Sequence, residues 1–247
     1  MKRVALIGHG RWGKILLPHL EKRFDVVGVS GRSFHINSDA EAIIVATPIG
    51  THYPIVLKAL KKGKHVFCEK PLTTDPKKAQ ELIDLSVSQG LQLVTDYTYT
   101  FSERLKDARQ RIGRNPIQSI ELVLKRQVPD DKSPYWTLAA HLISILGMFT
   151  PLMRLNFTVT NKGTKSIRIS FDNGTILINT AAEREMCVRL ISMGQQLHFT
   201  DLAADDNIGY ALDHFKRTMY GVTSNWHNRR CAYLVTKIIH DLKERNG

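Results

Sequence analysis

Val4-Ala5-Leu6-Ile7-Gly8-His9-Gly10-Arg11-Trp12-Gly13-Lys14 stands almost at the start of a 247-residue chain, and its reading decides the fold. Four apolar residues in a row are a short strand buried on both faces. A Gly-x-Gly-x-x-Gly turn ends it. The helical stretch Lys14–Arg23 follows, with Pro18 tolerated only near its first turns or as a kink. Such a turn carries weight only between a strand and a helix, which is where it lies. Gly8 permits the tight turn, Gly10 lets backbone approach a pyrophosphate, and Gly13 allows close helix–strand packing. The helix N-terminus attracts the negative charge, and His9, Arg11 and Trp12 lie in the same cradle.

Outward from this stretch, Val26–Val29, Ala42–Ala46, His65–Cys68 and Leu91–Val94 read as further strands. They are separated by helices over Tyr53–Lys62 and, behind an Asp75 cap with Pro76 first, through Ser88. Apolar runs that are continuous rather than alternating predict a parallel sheet covered on both faces. After about Tyr97 the pattern changes. A helix over Ser102–Ile112, a strand at Ile117–Leu124 and a helix over Thr137–Phe149 precede several close strands. These are Arg154–Thr160, Ser166–Phe171, Thr175–Thr180, Cys187–Ile191 and Gln196–Phe199, with a hairpin turn at Asp172-Asn173-Gly174. Helices near Ile208–Tyr220 and Asn228–Lys243 close the chain. The expectation is an α/β protein: a shortened, Rossmann-like parallel-sheet domain over residues 1–97, and an α+β domain with a mainly antiparallel open sheet over 98–247. Ser30 and Ile43 leave room between them for one short strand at most, Phe34-His35-Ile36-Asn37. The adenosine side of a dinucleotide pocket is therefore expected to be reduced.

Lys and Arg outnumber Asp and Glu by 35 to 23, with clusters at Lys58/Lys61/Lys62/Lys64, Lys77-Lys78 and Lys125-Arg126. Solvated helix faces and attraction of a phosphorylated or nucleotide-linked substrate both account for them. No zinc-finger, helix-turn-helix or RNP pattern supports nucleic-acid binding. No apolar stretch is long enough to span a membrane, and with a strand so near the start no secretory signal is expected. Cys68, Cys187 and Cys231 are far apart and at no metal-ligand spacing, so reduced thiols, no metal site and a cytoplasmic setting are expected.

The remaining candidate residues fall at strand ends and on one helix. Ser30-Gly31-Arg32-Ser33 offers no carboxylate for ribose hydroxyls. Arg32 and Ser33 suit a 2′-phosphate, favouring NADP over NAD, and an ordinary surface turn is the other reading. Thr47 and Pro48 are placed to line the nicotinamide side, and His52 is a ligand or a helix-capping surface residue. Glu69 and Lys70 follow the strand ending at Cys68 and are expected beside the cofactor; the ammonium can also orient and polarise a substrate hydroxyl. Trp136, Thr137 and His141 open a later helix, where Thr137 and His141 at i, i+4 share a face. His141 can take or give a proton near neutrality. A threonine hydroxyl hydrogen-bonds but cannot stabilise an imidazolium as Asp would. Tyr99 is a further candidate donor to substrate.

These residues resemble the glucose–fructose oxidoreductase / inositol dehydrogenase / rhizopine catabolism (Gfo/Idh/MocA) family. Val4–Lys14, Ala42–Pro48, the run Gly63–Leu72 with its Glu69-Lys70-Pro71, and Asp96–Phe101 follow the family's pattern. The resemblance implies a Rossmann domain paired with an α/β domain whose open sheet often makes a dimer interface. It also implies NAD(P)-dependent exchange of a hydroxyl and a carbonyl on a sugar or cyclitol. It carries the catalytic lysine onto Lys70 and the histidine onto His141. Thr137 stands where the family commonly has Asp, Leu142 where a second Asp is frequent, and the chain is shortened between Ser30 and Ile43. Two other classes therefore stay open: a catalytically weak or inactive ligand-binding relative, and an imine- or tetrapyrrole-type reductase.

Overall fold

A computed structural model describes residues 1–31, 36, 38–128, 133–162, 166–180, 185–200, 202 and 205–246. Its backbone clusters into two units, one of residues 1–97 with 208–236 and the other of 98–207 with 237–247.

The first unit is built on β1 (Arg3–Ile7), β2 (Asp25–Ser30), β3 (Ala42–Val45), β4 (His65–Glu69) and β5 (Leu93–Asp96). They form one sheet in the order β2-β1-β3-β4-β5, and every neighbouring pair is parallel. Helices α1 (Arg11–Glu21), α2 (His52–Lys61) and α3 (Pro76–Ser88) make the crossovers. All four residues of β3 are fully buried, as a continuous apolar run in a doubly covered sheet should be. Pro18 lies inside α1, beyond its first turn. Asp75 caps α3, its carboxylate accepting from Lys77 N–H at 2.8 Å. Because β2 lies on one side of β1 and β3 on the other, strand order reverses beside β1. In open α/β sheets, ligands bind outside the strand C-termini at such a switch point. Among the described residues no helix or strand lies between β2 and β3. The strand expected at Phe34–Asn37 falls outside the described residues except for Ile36, which is buried and in no strand.

The sequence reading placed both closing helices, α6 (Asn207–Met219) and α7 (Trp226–Asn246), with the second half. Residues 208–236 cluster with the first unit instead. Phe215 packs its ring 6.3 Å from Phe24 and 5.6 Å from Phe67. Asn228 accepts from Thr95 N–H with Oδ1 and donates to Thr95 C=O with Nδ2, both at 2.8 Å. Asn225 donates to Leu93 C=O, and Arg229 to Leu91 C=O. These side chains satisfy the outer edge of β5, which as an edge strand would otherwise present unpaired backbone. Asn228→Ala is therefore expected to lose about 2–3 kcal/mol, since two buried backbone groups are left unmet. Urea unfolding measures the loss. Thr95 amide exchange should accelerate with it, and an unchanged midpoint would show that water replaces the side chain.

The second unit holds β6 (Ser119–Lys125), β7 (Thr158–Lys162), β8 (Ser166–Phe171), β9 (Gly174–Asn179), β10 (Glu185–Ser192) and β11 (Gln195–Thr200), with α4 (Glu103–Ile112) and α5 (Ala140–Phe149). The sheet order is β11-β10-β6-β9-β8-β7; β6 and β9 pair in parallel and the other neighbours antiparallel. One face is apolar, with Ile120, Leu122, Leu124, Val188, Leu190, Ile176 and Ile178 buried. The other carries the cross-strand ion pairs Lys125–Glu185 and Glu121–Arg189. Asp172-Asn173 makes the expected hairpin between Phe171 and Gly174. A Cβ on Gly174 would lie 2.0 Å from Ile120 O, so this position admits only glycine. A second tight hairpin, Met193-Gly194, has φ of 49° and 76°, as a type I′ turn requires. β7 starts at Thr158 rather than Arg154, because Leu152–Arg154 forms a 3₁₀ turn behind Pro151.

Candidate active site

Within the first unit, β1, β3, β4 and β5 deliver Gly8, Thr47, Lys70 and Asp96 to the same edge of the sheet. Gly8 has φ of 103°, and its N–H donates to Ser30 C=O at 2.8 Å. A Cβ there would sit 2.4 Å from Ala46 O and 2.9 Å from Thr47 Cγ2, and one on Gly13 would sit 1.8 Å from Gly8 O. A Cβ built on Gly10 would meet no atom beyond its chain neighbours and its own helix backbone within 4 Å. Two glycines are thus imposed by packing, and the middle one faces open space. Gly10 caps α1 without a side-chain bond, and no acidic residue occupies the first turn. The N–H groups of that turn and the positive end of the helix stay available to an anion. These features fit a dinucleotide pyrophosphate. His9 and Arg11 are exposed beside the turn and Trp12 is half-buried. Arg32 and Ser33, assigned to the 2′-phosphate, lie outside the described residues.

Thr47 accepts a hydrogen bond from Thr51 Oγ1 at 2.8 Å, and Pro48 is exposed. His52 corrects the surface reading: only 1% of it is exposed. Its Nδ1 lies 2.9 Å from Pro71 O and its Nε2 2.8 Å from Thr47 O. Burial lowers its pKa, against the pull of those two carbonyls and with the help of the Lys70 charge. Each ring nitrogen faces a backbone carbonyl, and the one that carries the proton donates, so His52 lies between the turn after β3 and the turn carrying Lys70.

The sequence did not single out Asp96. It is fully buried, and β4 and β5 pair in a register that sets it opposite Glu69. Burial first and the neighbouring Asp96 second hold the Glu69 carboxyl well above the usual range, with Lys70 acting in the opposite direction. The Trp12 indole N–H faces Glu69 in a contact short of ordinary hydrogen-bond geometry. Cys68 is a fully buried strand residue, and burial raises its thiol pKa, which fits a core role and not a nucleophile.

In the second unit Trp136, Thr137 and His141 are not on one α-helix. Tyr135–Ala139 forms a π-helical turn and α5 begins at Ala140. The i, i+4 relation thus spans a wider turn, which rotates Thr137 relative to His141. Thr137 donates from both its N–H and its Oγ1 to Ser133 C=O, at 3.1 and 2.8 Å. Its one hydroxyl proton is committed, leaving the oxygen as an acceptor. His141 stands edge-on to Tyr99, ring centroids 5.0 Å apart at 72°. Lys243 holds its ammonium 5.9 Å from the Trp136 ring. The structure therefore joins Tyr99 to His141, a pairing that lies 42 residues apart in the chain and has no sequence signal.

Residues 32–97 match the family model described as "Oxidoreductase family, NAD-binding Rossmann fold", GFO_IDH_MocA. Over that stretch the chain is similar to the Gfo/Idh/MocA oxidoreductases. Among the curated proteins it resembles is inositol 2-dehydrogenase 4 of Saccharopolyspora erythraea, 44% identical over 57 residues, or 23% of this chain and 17% of that protein. Another is dTDP-3,4-didehydro-2,6-dideoxy-alpha-D-glucose 3-reductase of Streptomyces violaceoruber, 30% identical over 82 residues, or 33% of this chain and 24% of that one. The aligned stretches thus span 17% and 24% of those relatives' lengths. The UDP-N-acetylglucosamine 3-dehydrogenase of Acidithiobacillus ferrooxidans has the same fold at a TM-score of 0.82 and 14% identity, covering 98% of this chain and 97% of that one. Among the described residues no helix is long and apolar enough to cross a membrane, and no group of three or more His, Cys, Asp or Glu could hold a metal.

Proposed function

We propose that the chain is an NAD(P)-dependent oxidoreductase, preferring NADP, that exchanges a hydroxyl and a carbonyl on a sugar-like, phosphorylated or nucleotide-linked substrate. The observation that carries this is the open Gly10 position at the uncapped start of α1, on the same sheet edge as Lys70. The printed activities of the relatives, an inositol dehydrogenase and a dTDP-sugar reductase, support the substrate class.

The nicotinamide would supply or accept the hydride. The first-turn N–H groups of α1, with His9 and Arg11 beside them, would hold the pyrophosphate, while Thr47 and Pro48 line the cofactor on the β3 side. Lys70 would donate hydrogen bonds to the substrate oxygen and stabilise the charge that grows there. His141 would exchange the proton, with Tyr99 against its ring and Trp136 contributing to the substrate surface. Thr137, holding Ser133 C=O, would fix the turn from which His141 follows. A homo-oligomer formed through the second unit's sheet and a cytoplasmic location belong to the same proposal.

Thr137 also favours a second reading, a ligand-binding relative that has lost turnover, because it cannot stabilise an imidazolium. Fluorescence titration with NADPH and NADH, followed by a panel of sugars and nucleotide sugars, separates the two. The expected result is NADPH binding about tenfold tighter than NADH, a difference of about 1.4 kcal/mol, with turnover on part of the panel. Binding of neither cofactor at millimolar concentration would overturn the oxidoreductase reading. Binding without any turnover would leave the ligand-binding one.

A further inference from the structure

The edge of the parallel sheet holds one group that the proposed reaction does not use. Glu69 and Asp96 close adjacent strands β4 and β5 at paired register positions, Asp96 with no exposure at all and Glu69 with its Oε1 shielded from solvent. Paired parallel strands lie about 4.8 Å apart, so two such carboxylates cannot both ionise without severe repulsion in a medium that screens poorly. The groups facing them are few. The Trp12 N–H comes from α1 and the Lys70 ammonium from the turn after β4, while Cys68 belongs to β4. Tyr97 follows Asp96 with Cys231 of α7 beside it, and burial keeps both of those, like Cys68, in their neutral forms. Among the described residues, Lys70 is thus the cation that acts on Glu69.

We propose that Glu69 and Asp96 act as one unit that holds a single proton between them, and that the resulting single negative charge positions the Lys70 ammonium. This deepens the reading given above and rests on it for its catalytic consequence. Asp96 is then a positioning residue acting through Glu69. With one proton in the pair, Lys70 is attracted and oriented towards a substrate oxygen. When the proton leaves at alkaline pH, the pair carries two charges and draws the ammonium inward. Turnover should fall as a result. The stability consequence has a definite sign. The folded pKa of Glu69 lies above its ordinary 4.5, so the folded state binds more protons than the unfolded state just above that value. Stability from this group is present below that value and is lost as pH rises towards the folded pKa.

Infrared difference spectroscopy of the full chain tests the shared proton without any substrate. The wild type should show a protonated buried carboxyl at neutral pH that disappears on alkaline titration, and both Asp96→Asn and Glu69→Gln should lack it. If the band is missing from the wild type, or survives in Asp96→Asn, the shared proton is overturned, since burial alone would then govern Glu69. The Lys70 arm uses protein carrying ¹³C-methyl groups on its lysines. The Lys70 signal, identified by its loss in Lys70→Arg, should shift as the carboxyl band disappears in the wild type and show no such step in Asp96→Asn. A signal that ignores the band overturns the positioning. With an active substrate, the alkaline limb of kcat should move up by about one pH unit or more in Asp96→Asn. NADPH affinity should stay within about threefold, which also shows that the variant is folded. Absence of turnover in the wild type would count against the oxidoreductase reading alone and leave both spectroscopic arms decisive.

Discussion

Gly13→Ala is expected to abolish dinucleotide binding and to destabilise the first unit by about 3 kcal/mol or more. In a helix an alanine is worth about 1 kcal/mol over glycine, so propensity alone predicts a gain. Against this stands a methyl group 1.8 Å from Gly8 O, a distance that no rotamer change relieves because the obstacle is backbone. Overpacking of well-packed sites costs about 1–3 kcal/mol when side chains can yield. Here α1 must lift from the turn, and Gly8 is itself pinned between Ser30 C=O and Ala46 O. Lifting α1 also takes its first-turn N–H groups away from any bound pyrophosphate. Gly10→Ala is the matched control. Its added Cβ would meet nothing within 4 Å, so the unfolding midpoint should hold while NADPH affinity falls by about tenfold or more. Urea unfolding and cofactor titration of the two variants measure both effects. Equal unfolding midpoints for the two would refute the packing argument, and full affinity in Gly10→Ala would refute the cradle.

What could be read ahead of the structure was whatever depends on local sequence. Ala42–Val45 is apolar without alternation because both faces of β3 are covered. Asp75 and Pro76 announce α3 because an N-cap and a first-turn proline act within a few residues of themselves. The glycines of the first turn could be assigned by the same logic, and two of them do meet backbone at sub-contact distance. Long-range partners were not legible. His52 looks like a solvated helix start, and only the fold brings Pro71 O and Thr47 O to its two nitrogens. Asp96 becomes notable only once β4 and β5 are known to pair with Glu69 opposite it. Asn225, Asn228 and Arg229 read as an ordinary polar helix start, yet they complete the edge of β5 and place that part of α7 with the first unit. The π-helical turn at Tyr135–Ala139 escaped because one extra residue in a turn leaves no trace in a short apolar pattern. Met193-Gly194 lacks the Asn-Gly or Asp-Gly signal of its turn type, although the backbone adopts it.

Lys70→Ala is expected to lower kcat by about 10²–10³-fold, the range seen when one donor to a developing oxyanion is removed. The loss should fall on kcat and kcat/KM together, because the interaction strengthens only as charge grows on the substrate oxygen. NADPH affinity should change by less than about threefold, since the pyrophosphate is assigned to the α1 turn and not to this side chain. The separation is physical: Gly8–Gly13 and Lys70 leave different strands, β1 and β4, with β3 between them in the sheet. The variant should fold, because Lys70 is half-buried and the turn that carries it is also held by His52 through Pro71 O. It should also alter Glu69, from which it removes a cation that favours the ionised form. The carboxyl band assigned to the acid pair should then persist to higher pH in Lys70→Ala than in the wild type, as loss of a nearby positive charge favours the protonated form. Retained turnover would remove Lys70 from the mechanism. Lost turnover with a carboxyl band that does not move would keep Lys70 as the catalytic donor and disconnect it from the buried acids.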